Sequence, residues 1–213
     1  CTPLVVQSVL DFPITSGSCS AELGYSTHVK QVEETTARFV GKESAVVVGM
    51  GFATNSTVIP ALCGAGDLIL SDALNHNSIV EGARLSGAKI KAFKHNCVGD
   101  LELLLQQAVA GKGTRYNKIL VIVEGIYSME GELCALPAIV EVCKMYGAYV
   151  WLDEAHSIGA VGATGRGVCE ELGVDPSDID VMMGTFTKSF GAAGGYVAGD
   201  AETVARVRQY SAG

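Results

Sequence analysis

Short apolar runs rich in β-branched residues alternate with segments of helical periodicity from residue 28 to the end of the chain. Strands are predicted at residues 44–48, 67–70, 88–93, 118–123, 148–152 and 181–185, with a further one at 195–198. Helices are predicted at residues 28–40, in a segment that ends near 62, and at 77–85, 101–110, 137–146 and 204–210. Because the two kinds of segment alternate, we predict an α/β fold with a mainly parallel sheet and helices on both faces.

The domain limits follow from the same pattern. Residues 28–213 contain no linker that would divide them, so we predict a single domain there. Residues 1–27 are rich in turn-forming residues, and we predict an irregular segment that precedes the domain. The loop at 111–114 is expected to be the most exposed excursion from the domain.

Composition narrows the class of protein. Of the 213 residues, 48% are hydrophobic and 18% are charged, which is typical of a globular domain. The formal net charge of -8 argues against a nucleic-acid-binding surface, since such surfaces are usually basic. The seven cysteines are odd in number and form no Cys-x-x-Cys pair, so we expect a reducing compartment and no zinc site. No apolar run approaches the ~20 residues of a membrane helix, and no signal peptide is visible.

An acid and a lysine each follow a predicted strand. Asp153 comes directly after the run 148–152, and Lys188 lies just beyond the run 181–185. In an open α/β sheet, ligands bind beyond the carboxyl ends of the strands. The pair suits pyridoxal 5'-phosphate (PLP), whose aldehyde forms a Schiff base with a lysine and whose ring nitrogen is kept protonated by a carboxylate. Taken singly, a loop-capping aspartate and a surface lysine explain the same residues, and both explanations stay open at this point.

A glycine turn follows the predicted strand 44–48. Gly49 and Gly51 precede a helix, whose free N–H groups and dipole would suit a phosphate monoester. A tight turn that requires glycine is the alternative. A dinucleotide site is a weaker interpretation, because Thr54 stands where the third glycine of G-x-G-x-x-G belongs. Residues 153–156 also match a helicase signature, but no upstream phosphate loop accompanies them.

Three further polar residues follow predicted strands. His76 is suited to stack on a flat ring or to meet a carboxylate, and a local hydrogen bond at a helix start is the alternative. His156 lies three residues after Asp153, where it would bond an aromatic hydroxyl of a ligand or tether its own loop. Ser128 also follows a strand end. Because all of these positions lie at carboxyl ends of strands, together they favour a binding site.

Several runs of this chain resemble the α-oxoamine synthases, which are fold-type I PLP-dependent transferases. Residues 184–191 are similar to the lysine motif of that family, and residues 153–159 are similar to its aspartate motif. Further similar runs lie at residues 49–56, 123–131 and 181–188. The resemblance extends from about residue 17 to residue 213, and it implies that residues 28–213 are the PLP-binding large domain of such an enzyme.

The resemblance also implies roles for individual residues. Lys188 would hold the cofactor as a Schiff base and act as the base on the substrate α-carbon, and Asp153 would pair with the ring nitrogen. His76 would stack on the ring, and His156 and Ser128 would lie near the ring hydroxyl. The residues implied to hold the phosphate region are Gly51, Phe52 and Thr185. No metal is implied.

The implied reaction condenses L-serine with a long-chain acyl-CoA, usually palmitoyl-CoA. It releases CO₂ and CoA and gives 3-ketosphinganine, the first step of sphingolipid synthesis. The resemblance implies a dimer, formed with a second copy or with a non-catalytic sister subunit, and a small C-terminal domain that this chain lacks. In a full-length eukaryotic member it implies attachment to the cytosolic face of the endoplasmic reticulum through segments outside this chain, and otherwise a cytoplasmic enzyme.

Two alternative functions stay open. A related synthase would use glycine or alanine with another acyl-CoA. A nucleotide-binding module would use the turn at Gly49 and Gly51. A non-catalytic subunit of the same fold is disfavoured, because Lys188 is present.

Overall fold

The computed structural model describes residues 3–11, 24–111 and 115–211. The helices are α1 (Pro3–Asp11), α2 (Thr27–Val40), α3 (Gly51–Leu62), α4 (Asn77–Ser86), α5 (Val98–Val109), α6 (Leu136–Tyr146), α7 (Val168–Leu172) and α8 (Ala201–Tyr210). The strands are β1 (Ser44–Val48), β2 (Leu68–Asp72), β3 (Lys89–Phe93), β4 (Ile119–Glu124), β5 (Ile126–Tyr127), β6 (Glu132–Leu133), β7 (Tyr149–Asp153), β8 (Val181–Thr185) and β9 (Gly195–Gly199). A short 3-10 helix covers Pro176–Asp178.

Seven of the described strands form one sheet, in the order β1-β9-β8-β7-β4-β2-β3, and β5 pairs with β6 in a separate hairpin. The pairs β3–β2, β2–β4, β4–β7 and β7–β8 are parallel. Strand β9 runs antiparallel to both β8 and β1. The mainly parallel α/β fold predicted from the sequence is therefore confirmed, with β9 as the exception.

Both faces of the sheet are covered, and successive strand residues alternate between two cores. Val121 and Val123 of β4 belong to the core beneath α2, α5 and α6, whereas Leu120 and Ile122 belong to the core beneath α3, α4 and α8. A sheet buried on both faces requires apolar residues at nearly every central-strand position, as the sequence showed. Polar side chains can therefore leave the sheet only at its edges, and many of them gather where the parallel strands end.

The start of the chain differs from the sequence prediction. Residues 3–11 form helix α1, so the prediction of an irregular segment over residues 1–27 is wrong for that part. Pro3 is compatible with the first turn of a helix, and Gln7 bonds Asp11 one turn on, at 2.8 Å. Residues 12–23 of that segment, and residues 112–114 of the predicted exposed loop, lie outside the described residues. Within the described ranges, none of the helices combines the length and the apolar character needed to cross a lipid bilayer.

Gly184 of β8 gives a prediction about packing at the strand that leads to Lys188. It lies opposite Tyr196 of β9, and a Cβ added at Gly184 would be 2.4 Å from the buried Tyr196 ring. We expect Gly184→Ala to lower the free energy of unfolding of the full-length protein by about 1–3 kcal/mol, because overpacking displaces the ring. Thermal unfolding measures the effect. Gly99→Ala in α5, where the added Cβ has nothing within 4 Å, is the control and should not destabilise. Equal midpoints for the two variants would contradict the prediction.

Candidate active site

A cavity of about 180 Å³ lies beyond the carboxyl ends of β4, β7 and β8. The first turns of α3 and α4 close its other side. The residues that line it are Gly51, Phe52, Asn55, His76, Ser78, Glu124, Asp153, His156, Met183, Thr185, Thr187 and Lys188. Seven of the eight site residues predicted from the sequence are in this set, and the exception is Ser128. The cavity therefore gathers residues from positions 51 to 188 at one edge of the sheet.

Asp153 is a buried carboxylate on the cavity wall. The last residue of β7, it is 4% exposed. Its Oδ2 accepts a hydrogen bond of 2.7 Å from the Asn55 amide, and its Oδ1 accepts one of 2.8 Å from the Ala155 backbone. Burial raises the pKa of Asp153, while these hydrogen bonds and the nearby Lys188 oppose that shift. Within the described ranges Asp153 forms no ion pair, so a cationic group in the cavity would stabilise its charge.

Lys188 faces His156 across the cavity mouth. The Lys188 Nζ lies 2.6 Å from the His156 Nε2. Partial burial lowers the pKa of Lys188, although Asp153 and Glu124 act in the opposite direction. Burial, Lys188 and His76 all lower the pKa of His156. Both shifts favour uncharged nitrogens, and an uncharged amine is the form that attacks an aldehyde.

The loop that carries Lys188 is held by short-range hydrogen bonds. The Thr185 hydroxyl donates to the Gly194 carbonyl at 3.0 Å, and the Phe186 N–H donates to the same carbonyl at 2.9 Å. The Gly191 N–H donates to the Lys188 carbonyl at 3.1 Å. These bonds close the loop over the end of β8, so the amine is presented from a fixed turn.

Helix α3 points its N-terminus at the same cavity. The helix begins at Gly51, and the side chain of Met50, which precedes it, does not cap it. A Cβ added at Gly51 would lie 2.8 Å from the Thr185 hydroxyl, so the glycine allows that hydroxyl to approach the first turn. Backbone N–H groups at a helix start, together with a nearby hydroxyl, form an anion site. The geometry agrees with the phosphate position predicted from the glycine turn.

His76 precedes α4 and lines the cavity. Its Nδ1 accepts the Ser78 backbone N–H at 3.1 Å, so the local hydrogen bond considered as the alternative is present. The ring nevertheless borders the cavity, edge-on to Phe52 at 6.2 Å between centroids. Ser128, by contrast, is exposed in the turn between β5 and β6, outside the set that lines the cavity. Its contact with a ring hydroxyl stays a prediction.

Five residues that line the cavity were not predicted as site residues: Asn55, Ser78, Glu124, Met183 and Thr187. Asn55 is 1% exposed and donates both to Asp153 and, at 3.0 Å, to the Ser78 hydroxyl. A buried amide within the apolar helix α3 was the available sequence signal. Glu124 ends β4 and lies in register with Asp153. Burial, with the Asp153 charge, raises the pKa of Glu124 to about 8.

A third carboxyl, Glu154, lies just behind the cavity. It is fully buried and accepts the Ser157 hydroxyl and the Val168 backbone N–H. Glycine at position 167 leaves room for it, since a Cβ there would be 2.4 Å from its Oε2. Burial raises the pKa of Glu154 to about 7, and the hydrogen bonds only partly oppose this.

The raised carboxyl pKa values predict that stability falls as the pH rises. Folding raises the pKa of Glu154 from 4.5 to about 7 and that of Glu124 from 4.5 to about 8. Between these pKa values the folded state therefore binds more protons than the unfolded state. The resulting stabilisation of the folded state is complete below pH 4.5 and is lost as the pH rises through 7 to 8. Each group contributes a slope of up to about 1.4 kcal/mol per pH unit. Glu154→Gln should flatten the decline below pH 7 in denaturant titrations, and an unchanged slope would contradict the assignment.

Comparison with known proteins identifies a family and relatives of this chain. The family described as aminotransferase class I and II matches residues 2–213. Long chain base biosynthesis protein 2c of Oryza sativa subsp. japonica is 58% identical over 208 residues, which cover 96% of this chain and 42% of that protein. Serine palmitoyltransferase 2 of Dictyostelium discoideum is 49% identical, over 97% of this chain and 43% of that protein. The chain thus spans less than half the length of these curated relatives.

Comparison with solved structures also finds serine palmitoyltransferases. Serine palmitoyltransferase of Sphingomonas wittichii superposes with a TM-score of 0.89 at 35% identity, covering 100% of this chain and 54% of that one. A serine palmitoyltransferase from S. paucimobilis, with a bound PLP–myriocin aldimine, superposes with a TM-score of 0.88 at 34% identity, covering 98% and 52%. The resemblance inferred from the motifs is therefore confirmed.

Proposed function

We propose, since this chain belongs to the aminotransferase class I and II family, that its full-length protein is a PLP-dependent acyltransferase. It condenses L-serine with a long-chain acyl-CoA, palmitoyl-CoA, releases CO₂ and CoA, and forms 3-ketosphinganine. The observation that carries the proposal is that Asp153, Lys188 and the N-terminus of α3 border one cavity. The relatives named as serine palmitoyltransferases support the choice of substrates.

The cavity residues fit PLP. The cofactor has an aldehyde, a ring nitrogen and a phosphate, and the cavity offers a matching group for each. Lys188 supplies an amine with a lowered pKa, Asp153 a buried carboxylate, and Gly51 the first N–H groups of a helix. When bound, PLP supplies an electron sink that stabilises negative charge on the substrate α-carbon.

The protein residues then have distinct tasks. Asp153 would hold the proton on the ring nitrogen, and the Asn55 amide, which donates to Asp153, fixes the position of that carboxylate. The Lys188 Nζ would hold the cofactor and, when free, would take the proton from the serine α-carbon. His156, at 2.6 Å, keeps the amine at the cavity mouth between these events. His76 would cover the ring, and Thr185 and Phe52 would hold the phosphate region.

Substrate preference tests the proposal. We expect the full-length enzyme to convert L-serine and palmitoyl-CoA to 3-ketosphinganine, with kcat/KM at least about tenfold higher than for glycine or L-alanine. Mass spectrometry of the lipid product with each amino acid gives the ratio. A preference for glycine or alanine would identify a different synthase of the same chemistry. Binding of NAD in a titration, with no visible absorbance on addition of PLP, would exclude the enzyme class.

The proposal extends to assembly and location. We expect a dimer, formed with a second copy or with a non-catalytic sister subunit, and attachment of a eukaryotic full-length protein to the endoplasmic reticulum through segments outside this chain. The sequence resemblance supports both expectations. Sedimentation of the purified full-length protein tests the first, and a monomeric active enzyme would contradict it.

A further inference from the structure

Glu124 occupies a position that the proposed chemistry leaves unassigned. It is the last residue of β4, it is 4% exposed, and it lies in register with Asp153 of β7. Its side chain lines the same cavity as Asp153 and Lys188. Burying a second charged carboxyl beside Asp153 costs free energy, so we expect a specific contact to stabilise the Glu124 side chain there.

That contact is with the backbone of His76. The Glu124 Oε1 accepts the His76 N–H, a group at the N-cap of α4 that lies outside the hydrogen-bond ladder of the helix. The preceding residue, Asn75, is anchored to the same strand, because its amide donates to the Ile122 carbonyl at 2.8 Å. The loop between β2 and α4 is thus attached to β4 at two consecutive residues.

This attachment fixes the imidazole that borders the cavity. Glu124 fixes the position of the His76 backbone. The orientation of the His76 ring is then determined by its hydrogen bond with the Ser78 backbone N–H and by its edge contact with Phe52. A neutral Glu124 accepts through a carbonyl-type oxygen without adding a second negative charge next to Asp153. The raised pKa of Glu124, about 8, agrees with that form at neutral pH.

We propose that Glu124 is a positioning residue, whose carboxyl oxygen holds the His76 backbone and thereby fixes the His76 ring over the cofactor position. The inference deepens the proposed function and rests on it for the identity of the ligand. Glutamine offers the same oxygen and should replace Glu124, whereas leucine fills similar space and offers no acceptor.

The first test uses the full-length apoprotein and needs no cofactor. We expect Glu124→Leu to speed amide hydrogen exchange in the peptide that contains His76 by about tenfold or more. The His76 N–H loses its acceptor in this variant, so the folded loop is less stable and opens more often. Glu124→Gln should stay within about threefold of the wild type. Glu141→Ala, on the exposed face of α6, is the control. Equal exchange in the leucine variant and the wild type would overturn the proposal.

The second test measures the dissociation constant of PLP. We expect Glu124→Leu to raise it about tenfold, Glu124→Gln to leave it nearly unchanged, and Glu124→Leu to add little in a His76→Ala background. Additive effects in the double variant, or a glutamine variant that binds PLP as weakly as the leucine variant, would overturn the proposal.

If Glu124→Leu does not fold, Glu124→Asp, which is one methylene shorter, should change the dissociation constant in the same direction. If the wild type does not bind PLP, the proposed function fails, while the exchange test still decides the link between Glu124 and His76.

Discussion

Lys188→Ala should abolish the visible absorbance of bound PLP and reduce turnover below detection in the full-length enzyme. In the proposed mechanism this amine attacks the aldehyde and is also the base for the α-proton. Loss of proton transfer alone costs roughly 10²- to 10⁴-fold in rate. Lys188→Arg should fail as well, because a guanidinium keeps the positive charge but does not deprotonate at neutral pH. The arginine variant therefore separates the need for a neutral amine from the need for a cation.

The controls for this experiment are straightforward. Lys30→Ala, on the exposed side of α2, should keep the absorbance and the rate of the wild type. An absorbance scan with added PLP and an assay with L-serine and palmitoyl-CoA give both readouts. Turnover near the wild-type rate in Lys188→Ala would remove the basis of the enzyme assignment.

Asp153→Asn should retain the fold and most of the cofactor affinity but lose about 10²- to 10³-fold in kcat. Asparagine still fills the site and can accept the Ala155 N–H, yet it cannot balance a proton on the ring nitrogen. A ring nitrogen without its proton is a weaker electron sink, which raises the reaction barrier, and each 1.36 kcal/mol of barrier corresponds to a factor of about ten in rate. The loss should therefore appear in kcat rather than in binding.

The matched control is Asp175→Asn. Asp175 caps the 3-10 helix remote from the cavity, and asparagine caps helices equally well. We expect its rate to be unchanged. If Asp153→Asn kept a rate within a factor of about three of the wild type, Asp153 would not hold the ring nitrogen.

Local patterns in the sequence were enough to predict the sheet and the positions of Asp153 and Lys188. Each follows a strand that is predicted from a short, mainly apolar run, and ligands bind where such strands end. Strand β9 was predicted, but its antiparallel direction was not, since periodicity along one segment carries no information about its neighbour. The two-residue strands β5 and β6 and the five-residue helix α7 are too short for a periodic signal.

The missed site residues depend on distant pairs. Asn55 meets Asp153 across 98 positions, and Glu124 meets His76 across 48. Neither partner can be inferred from the residues beside it, because the contact exists only after the strands are ordered. Ser128 follows a strand end but is exposed in the turn between β5 and β6, outside the set of residues that line the cavity, so its role stays a prediction.

The most direct measurement is to identify the lysine that carries PLP. The full-length protein would be incubated with PLP, reduced with borohydride to trap any covalent link, digested and analysed by mass spectrometry. We predict that the cofactor mass is found on the peptide that contains Lys188, and that Asp153→Asn leaves it there. Label on a different lysine, or none above the level of exposed lysines such as Lys30, would contradict a cofactor held between Lys188 and Asp153.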